Sequence, residues 1–414
     1  MKVLIVNHSD VIGGAARAAY RLHKALLKEG VNSYMLVQNK ASSDPTVISL
    51  YDTKIEKFFY LMKPTLDQLP VKFYKNRIKT LFSPSWIPSR KVIEKIKEIN
   101  PDIVHLHWVC GGMLRIEDIA KINKPIVWTM HDNWLFTGGC HIMWGCENYK
   151  DKCGKCLILN SNLSYDLSRW VWYRKSKTFK KLKNIIIVGL SKWITKKAKE
   201  SSLLKDKKII TLPNPIDTDI FKPIDKMLAR KILNLSLSKK LIGMGSAYID
   251  PNKGYDLLIE SLKFLKKEIV LVLFGKYDEK LIKTIKESKI NVMHLGTFSD
   301  DISLAILYSS LDVFIIPSRQ ETLSNSIMES LACGTPVVAF NIGGNPDMIE
   351  HKKNGYLAKP FDVKDLAKGI KWVLEDENYD NLCKFAREII LERFDSKKVA
   401  KRYIELYKEL LKND

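Results

Sequence analysis

The feature that most constrains this chain is a rhythm in which short apolar runs recur with helical segments of about ten residues between them. "KVLIVNH" leads into "ARAAYRLHKALLKEG", which stops at Gly30, and "SYMLVQ" follows. "RKVIEKIKEINP" then precedes "DIVHLHW", and "IEDIAKIN" precedes "KPIVWTMHD". "NIIIVGLS", "KWITKKAKES" and "KKIITLPNP" continue the series. Parallel strands need a crossover connection, so strands separated by helices predict right-handed βαβ units and a parallel sheet. The pattern breaks at "LPNPIDTDIFKP", where Pro213, Pro215 and Pro223 read as a linker, and then restarts. "KKLIGMGSA", "EIVLVLFGK", "INVMHLGTF", "DVFIIPS" and "TPVVAFN" are its strands, with "GYDLLIESLKFLKK" and "DDISLAILYSS" as helices between them, and a last helix is expected over 382 to 412.

At 414 residues the chain exceeds what one hydrophobic core normally serves. The expected fold class is therefore α/β, with two doubly wound, Rossmann-like domains facing a cleft at the carboxyl ends of their strands, where such sheets bind ligands. The boundaries predicted are 1–212 for the first domain, 213–390 for the second, and 391–414 for a C-terminal helix packing back toward the first.

Composition narrows the function. With 46% hydrophobic and 28% charged residues the chain is globular rather than disordered. The opening run "KVLIV" is too short for a signal-peptide core, and no apolar stretch approaches the roughly 18 residues that span a bilayer. A cytoplasmic protein, soluble or peripheral on the inner face of the membrane, is expected. The net charge of +22 favours anionic partners. Residues 174–208 carry thirteen Lys and Arg against Glu200 and Asp206, and residues 54–80 carry seven against Glu56 and Asp67. In the second stretch Phe58, Phe59, Tyr60, Phe73 and Tyr74 lie among the lysines, which suits an anionic membrane surface or a single-stranded nucleic acid, or else a solvated surface over ordinary core aromatics. No nucleic-acid motif accompanies the charge, so that partner is disfavoured.

"PSRQETLSNSIMESLACGTPVVAF" sets Glu321 and Glu329 eight positions apart around a predicted helix start. Carboxylates so spaced along a helix stand about 12 Å apart and cannot share a proton, but each can hold a different part of one elongated ligand. Ser326 to Glu329 also fits a capping box, a purely structural role. The same helix start offers the amides of Thr322, Leu323 and Ser324 to a phosphate. Phosphate flanked by hydroxyl-binding carboxylates outlines a nucleotide sugar.

The stretch "PSRQETLSNSIMESLACGTPVVAFNIGGNPDMIEHKKNGYLAKP" resembles the carboxyl-terminal signature of the retaining glycosyltransferases of family 4, which have the GT-B fold. The likeness extends through "HLGTFSDDISLAILYSSLDVFIIPS" and "GGAARAAYRLHKALLKEG", with residues 40 to 90 the least recognisable part. It implies a sugar transferred with retention from a UDP- or GDP-linked donor to a polysaccharide or lipid-linked oligosaccharide in cell-surface polysaccharide biosynthesis. It also implies that Glu321 contacts donor-sugar hydroxyls, that Glu329 binds ribose, and that the backbone at Thr322 to Ser324 meets the diphosphate. "GMGSAYIDPNKGYDLLIE" resembles the family's phosphate segment, with Lys253 in the lysine position and Ser246 where the family usually has Arg. Arg319 is a candidate for the missing charge. Gly13 and Gly14 form a turn that is not G-x-G-x-x-G, and the resemblance brings it near donor phosphates or acceptor, with His8 and Arg17 as weaker candidates. His131 resembles the family's acceptor-side histidine. No cofactor is expected for catalysis, because Lys253 and amides replace a metal ion. Cys140, Cys146, Cys153 and Cys156, in a loop over 138–157, stand as ligands of a structural zinc, with C-x-x-C the stronger half, or as a loop shaping the acceptor pocket. The rival functions are a polyanion- or nucleic-acid-binding protein, a catalytically dead sugar-binding subunit and a GT-B epimerase.

Overall fold

In a computed structural model the structure describes residues 1–246, 250–265, 268–277, 283 and 291–412. They divide into two compact units, Met1–Pro215 with Val399–Asp414, and Ile216–Lys398. The end of the "GMGSA" run and the segment leading to Asp250 lie partly outside the described residues, as do the last two positions of "GYDLLIESLKFLKK".

The first unit holds a parallel sheet of β1 (Lys2–Ser9), β2 (Asn32–Asn39), β3 (Val47–Ser49), β4 (Ile103–Leu106), β5 (Ile126–Met130), β6 (Ile185–Gly189) and β7 (Lys208–Thr211). Their order across the sheet is β3-β2-β1-β4-β5-β6-β7. The apolar runs are continuous because both faces are covered. In β1, Val3 and Ile5 pack with Leu22 and Leu26 of the helix Gly14–Lys28 and with Tyr403 and Tyr407 of the last helix. Leu4 and Val6 turn to the opposite core, with Ile93 and Ile96 of the helix Arg90–Ile99 and Val171 of Leu167–Phe179.

The second unit repeats the logic with β8 (Leu241–Ser246), β9 (Val270–Gly275), β10 (Asn291–His294), β11 (Val313–Ile316), β12 (Val337–Phe340) and β13 (Gly355–Ala358), ordered β10-β9-β8-β11-β12-β13. Both orders are those of doubly wound sheets: the chain builds one half outward from a first strand, then returns to that strand's other side. The single helix expected over 382 to 412 is two, Tyr379–Arg393 and Ser396–Lys412. Asp395 separates them, its carboxylate accepting from the amides of Lys397 and Lys398 at 3.1 and 3.2 Å and so starting a new helix.

Candidate functional site

In the second unit, β8 and β11 are neighbours whose chains depart to opposite halves of the sheet, which makes their carboxyl ends the switch point. The described part of the connection after β8 includes a short 3-10 turn, Pro251–Lys253, started by Asp250, which accepts from the Asn252 amide at 2.8 Å. Gly254 ends it at φ 69°, and a Cβ there would stand 2.0 Å from the Pro317 carbonyl oxygen. Only glycine lets this turn abut the end of β11 so closely. The turn is then stitched to the second loop: Arg319 N donates to the Asn252 carbonyl at 2.7 Å, and Asn252 Nδ2 donates to the Gln320 carbonyl at 2.8 Å.

That register brings Lys253 Nζ to Glu321 Oε1 at 2.8 Å. Burial pulls the lysine down, but the Glu321 and Asp250 carboxylates outweigh it and hold the ammonium above its ordinary range. Glu321 is itself gripped from behind. Gly343, at φ 53°, is so close that a Cβ would meet the Glu321 carbonyl oxygen at 1.9 Å, and the Gly344 amide donates to that oxygen at 3.0 Å. The "GG" turn of the sequence signature is thus a clamp on the Glu321 backbone.

The following helix runs Asn325–Ala332 with Ser324 at its N-cap and no side-chain cap. Ser326 lies inside the helix, so the capping box expected from Ser326 to Glu329 does not form. Glu329 is buried and its Oε2 accepts from the Tyr308 hydroxyl at 2.9 Å. Burial and the Glu329 charge push the Tyr308 phenol well above its usual value, so it stays a donor. Among the described residues no hydrogen bond occupies the amides of Thr322, Leu323 and Ser324. They lie between the two carboxylates in sequence, at the positive end of the helix.

Arg319 has an acidic partner of its own. Its guanidinium pairs with both Asp256 oxygens, Nη1 at 3.0 Å and Nη2 at 2.5 Å, and Nη1 donates to the Pro251 carbonyl, which braces the Lys253 turn. Ser246 closes β8, and its carbonyl accepts from the Lys276 amide at 3.2 Å.

The first unit has its own switch point, between β1 and β4. The two strand ends are laced together, His8 N donating to the Trp108 carbonyl and Trp108 N to Asn7 Oδ1, both at 2.8 Å. Gly13 sits at φ 98° with nothing within 4 Å of a would-be Cβ, so the backbone rather than a neighbour demands glycine. Gly14 opens the helix behind it. His131, just after β5, stacks on His107 with Nε2 2.8 Å from its Nδ1. Burial lowers both His131 and His8 to about 4, so each ring is neutral at pH 7. Asp132 serves the fold, accepting from Trp108 Nε1 at 2.9 Å and pairing with His141 Nδ1 at 2.6 Å.

The four loop cysteines are free thiols lining one cavity of about 20 Å³. Burial lifts Cys140 well above the ordinary thiol value and Cys153 to about 12. Among the described residues no group of three or more His, Cys, Asp or Glu side chains is set to hold a metal ion. Beside the thiols lies Lys175, which nothing in the sequence singled out from its neighbouring lysines. It is fully buried, donates to the Trp134 and Thr137 carbonyls, and lies 3.5 Å above the Trp134 ring. Burial brings it down to about 7. Tyr308 and Asn252 were also missed; only an asparagine in a turn sequence, "DPNKG", hinted at the second.

Comparison with known proteins adds three findings. The family model described as Glycosyltransferase Family 4 matches residues 12–220, and that described as Glycosyl transferases group 1 matches residues 226–389. The chain is 33% identical over 217 residues to N,N'-diacetylbacillosaminyl-diphospho-undecaprenol alpha-1,3-N-acetylgalactosaminyltransferase of Campylobacter jejuni, covering 51% of this chain and 57% of that protein. It spans about half to two-thirds of the length of the first curated relatives it matches. In fold it matches sucrose-phosphate synthase of Thermosynechococcus elongatus over the whole of both chains, with a TM-score of 0.71 at 18% identity. Anabaena HepE in complex with UDP-glucose matches with a TM-score of 0.69 at 17% identity, over 99% of this chain and all of that one.

Proposed function

The chain belongs to glycosyltransferase family 4, and from that membership we propose that it moves a sugar, with retention and without a metal ion, from a nucleoside-diphosphate sugar to a polysaccharide or lipid-linked oligosaccharide acceptor. The observation that carries this reading is the Lys253–Glu321 pair, at 2.8 Å, beside a helix start whose amides meet no hydrogen-bond acceptor among the described residues. Lys253 and the amides of Thr322 to Ser324 receive the diphosphate, Glu321 accepts from hydroxyls of the donor sugar, and Glu329, oriented by Tyr308, accepts from the ribose. Support for a nucleotide-sugar donor comes from HepE, whose structure holds UDP-glucose. Support for a lipid-linked acceptor comes from the Campylobacter relative, whose name specifies a diphospho-undecaprenol substrate.

In the transfer the anomeric C–O bond to the diphosphate breaks while the acceptor hydroxyl attacks from the same face. The hydroxyl proton passes to the departing phosphate oxygen, giving the glycoside and the nucleoside diphosphate. Fixed positive charge at the leaving group carries the acceleration. Lys253 supplies that charge as a point cation, and the helix amides supply dipoles. His131, neutral at pH 7 by burial, acts as a hydrogen-bonding group on the acceptor side rather than as a cation.

The test is nucleotide release from UDP-, GDP- and ADP-sugars with lipid-linked acceptors, in the presence of EDTA, with the product anomer read by NMR. Acceptor-dependent release with retention is expected. Release independent of acceptor, an inverted product or complete loss with EDTA would overturn the corresponding part of the proposal.

A further inference from the structure

An amphipathic helix ordinarily turns its apolar stripe inward. The helix Lys54–Asp67 does the reverse. Ile55, Phe58, Phe59, Met62 and Leu66 fall at i, i+3, i+4, i+7 and i+11, one helical stripe, and all five are 40–72% exposed. The residues the helix buries are Tyr60 and Asp67.

This orientation is fixed rather than free to roll. Thr53 and Glu56 form a reciprocal capping box, Lys91 Nζ holds Glu56 at 2.6 Å, and Asp67 Oδ1 accepts from the Trp86 amide at 3.2 Å. Phe73, in the 3-10 turn that follows, is 86% exposed and extends the apolar surface. Around it Lys54, Lys57, Lys72, Lys75 and Lys79 are exposed, while the only acids of the segment are the two already engaged.

We propose that this surface docks on an anionic lipid bilayer. The inference goes beyond the sugar-transfer reading and does not rest on it. The occupant must take up aliphatic and aromatic side chains and neutralise lysines at their edge, which is the chemistry of an acyl boundary under acidic headgroups. A second copy of the chain would bring the same lysines to the same face in a twofold contact. A nucleic acid would answer the lysines and stack on Phe58 or Phe59, but would leave Ile55, Met62 and Leu66 in water. No described helix is long and apolar enough to cross a membrane, so the contact is interfacial.

The test is co-sedimentation of the full chain with phosphatidylcholine vesicles, with and without a third of phosphatidylglycerol. Binding is expected only with the anionic lipid and weakens as salt rises. Each of Lys54→Gln, Lys57→Gln and Lys72→Gln should weaken it about fivefold. The double variant Phe58→Ser, Phe59→Ser should weaken it more than tenfold, because both rings leave water on docking. Since both rings are solvent-exposed, its melting midpoint and its thermal response to a nucleotide sugar should match the parent. No sedimentation with anionic vesicles, equal sedimentation with neutral ones, or binding untouched by the double variant would overturn the proposal. A dimer that the double variant dissociates would overturn it too, assigning the surface to a second copy.

Discussion

Gly343→Ala should be among the most damaging single-atom additions in the second unit, and the geometry says by how much. The new Cβ would meet the Glu321 carbonyl oxygen at 1.9 Å, the carbonyl carbon at 3.0 Å and the Glu321 amide nitrogen at 3.3 Å. All three are backbone atoms, so nothing can swing away. The residue would also hold φ 53°, which costs an L-residue about 1–2 kcal/mol. Gly30→Ala is the natural control: Gly30 sits at φ 76° with nothing within 4 Å. It carries the dihedral penalty alone. Overpacking against fixed backbone adds about 1–3 kcal/mol, so Gly343→Ala should lose about 2–5 kcal/mol where Gly30→Ala loses about 1–2. Urea titrations give both, read as midpoint shifts at unchanged slope. Moving the Glu321 backbone must also disturb the Lys253 pair, so stabilisation by a donor should fall in Gly343→Ala and persist in Gly30→Ala. Equal midpoints for the two variants, with donor response intact in both, would refute the clamp.

Three further outcomes follow from named contacts. Tyr308→Phe removes the hydroxyl that donates to Glu329 at 2.9 Å, taking one hydrogen bond from a buried carboxylate; a thermal melt should show a loss of about 1–3 kcal/mol, with weaker donor binding. Asp395→Ala deletes the acceptor that starts the last helix and its 2.6 Å bond from Thr218 Oγ1, with an expected loss of about 1–2 kcal/mol by chemical denaturation. Lys175 has its folded pKa near 7, below the ordinary lysine value, so the unfolded chain binds more protons above that pH and stability rises with pH. From pH 7 to 8 the parent should gain about 1 kcal/mol more than Lys175→Met.

The two βαβ domains were legible because strands buried on both faces read as unbroken apolar runs: "DVFIIPS" became β11 and "TPVVAFN" became β12. Break points were harder. Asp395 is a helix start embedded in a pattern that stays amphipathic through both flanking helices, so the periodicity ran across it. Ser324 and Ser326 are equally good caps in sequence, and the helix begins at the earlier one. The motif residues Lys253 and Glu321 could be named, but not their direct pairing across 68 positions, which depends on β8 and β11 being neighbours. The pairing of Arg319 with Asp256 could not be read from the sequence, because the two lie 63 residues apart in the chain. The exposed stripe of Lys54–Asp67 has the periodicity of a core helix, and only the fold reveals that it faces water.

The central claim is that Lys253, Glu321 and the helix amides form a nucleotide-sugar site. The most direct test is a thermal-shift panel of UDP-, GDP- and ADP-sugars on the parent and on Glu321→Ala. At about a hundred times its Kd a donor adds roughly 2.7 kcal/mol, which for a unit of this size moves the midpoint about 5–10 °C. The account predicts that shift for one donor base and its loss in Glu321→Ala. No shift with any donor, or an equal shift in the variant, would contradict it.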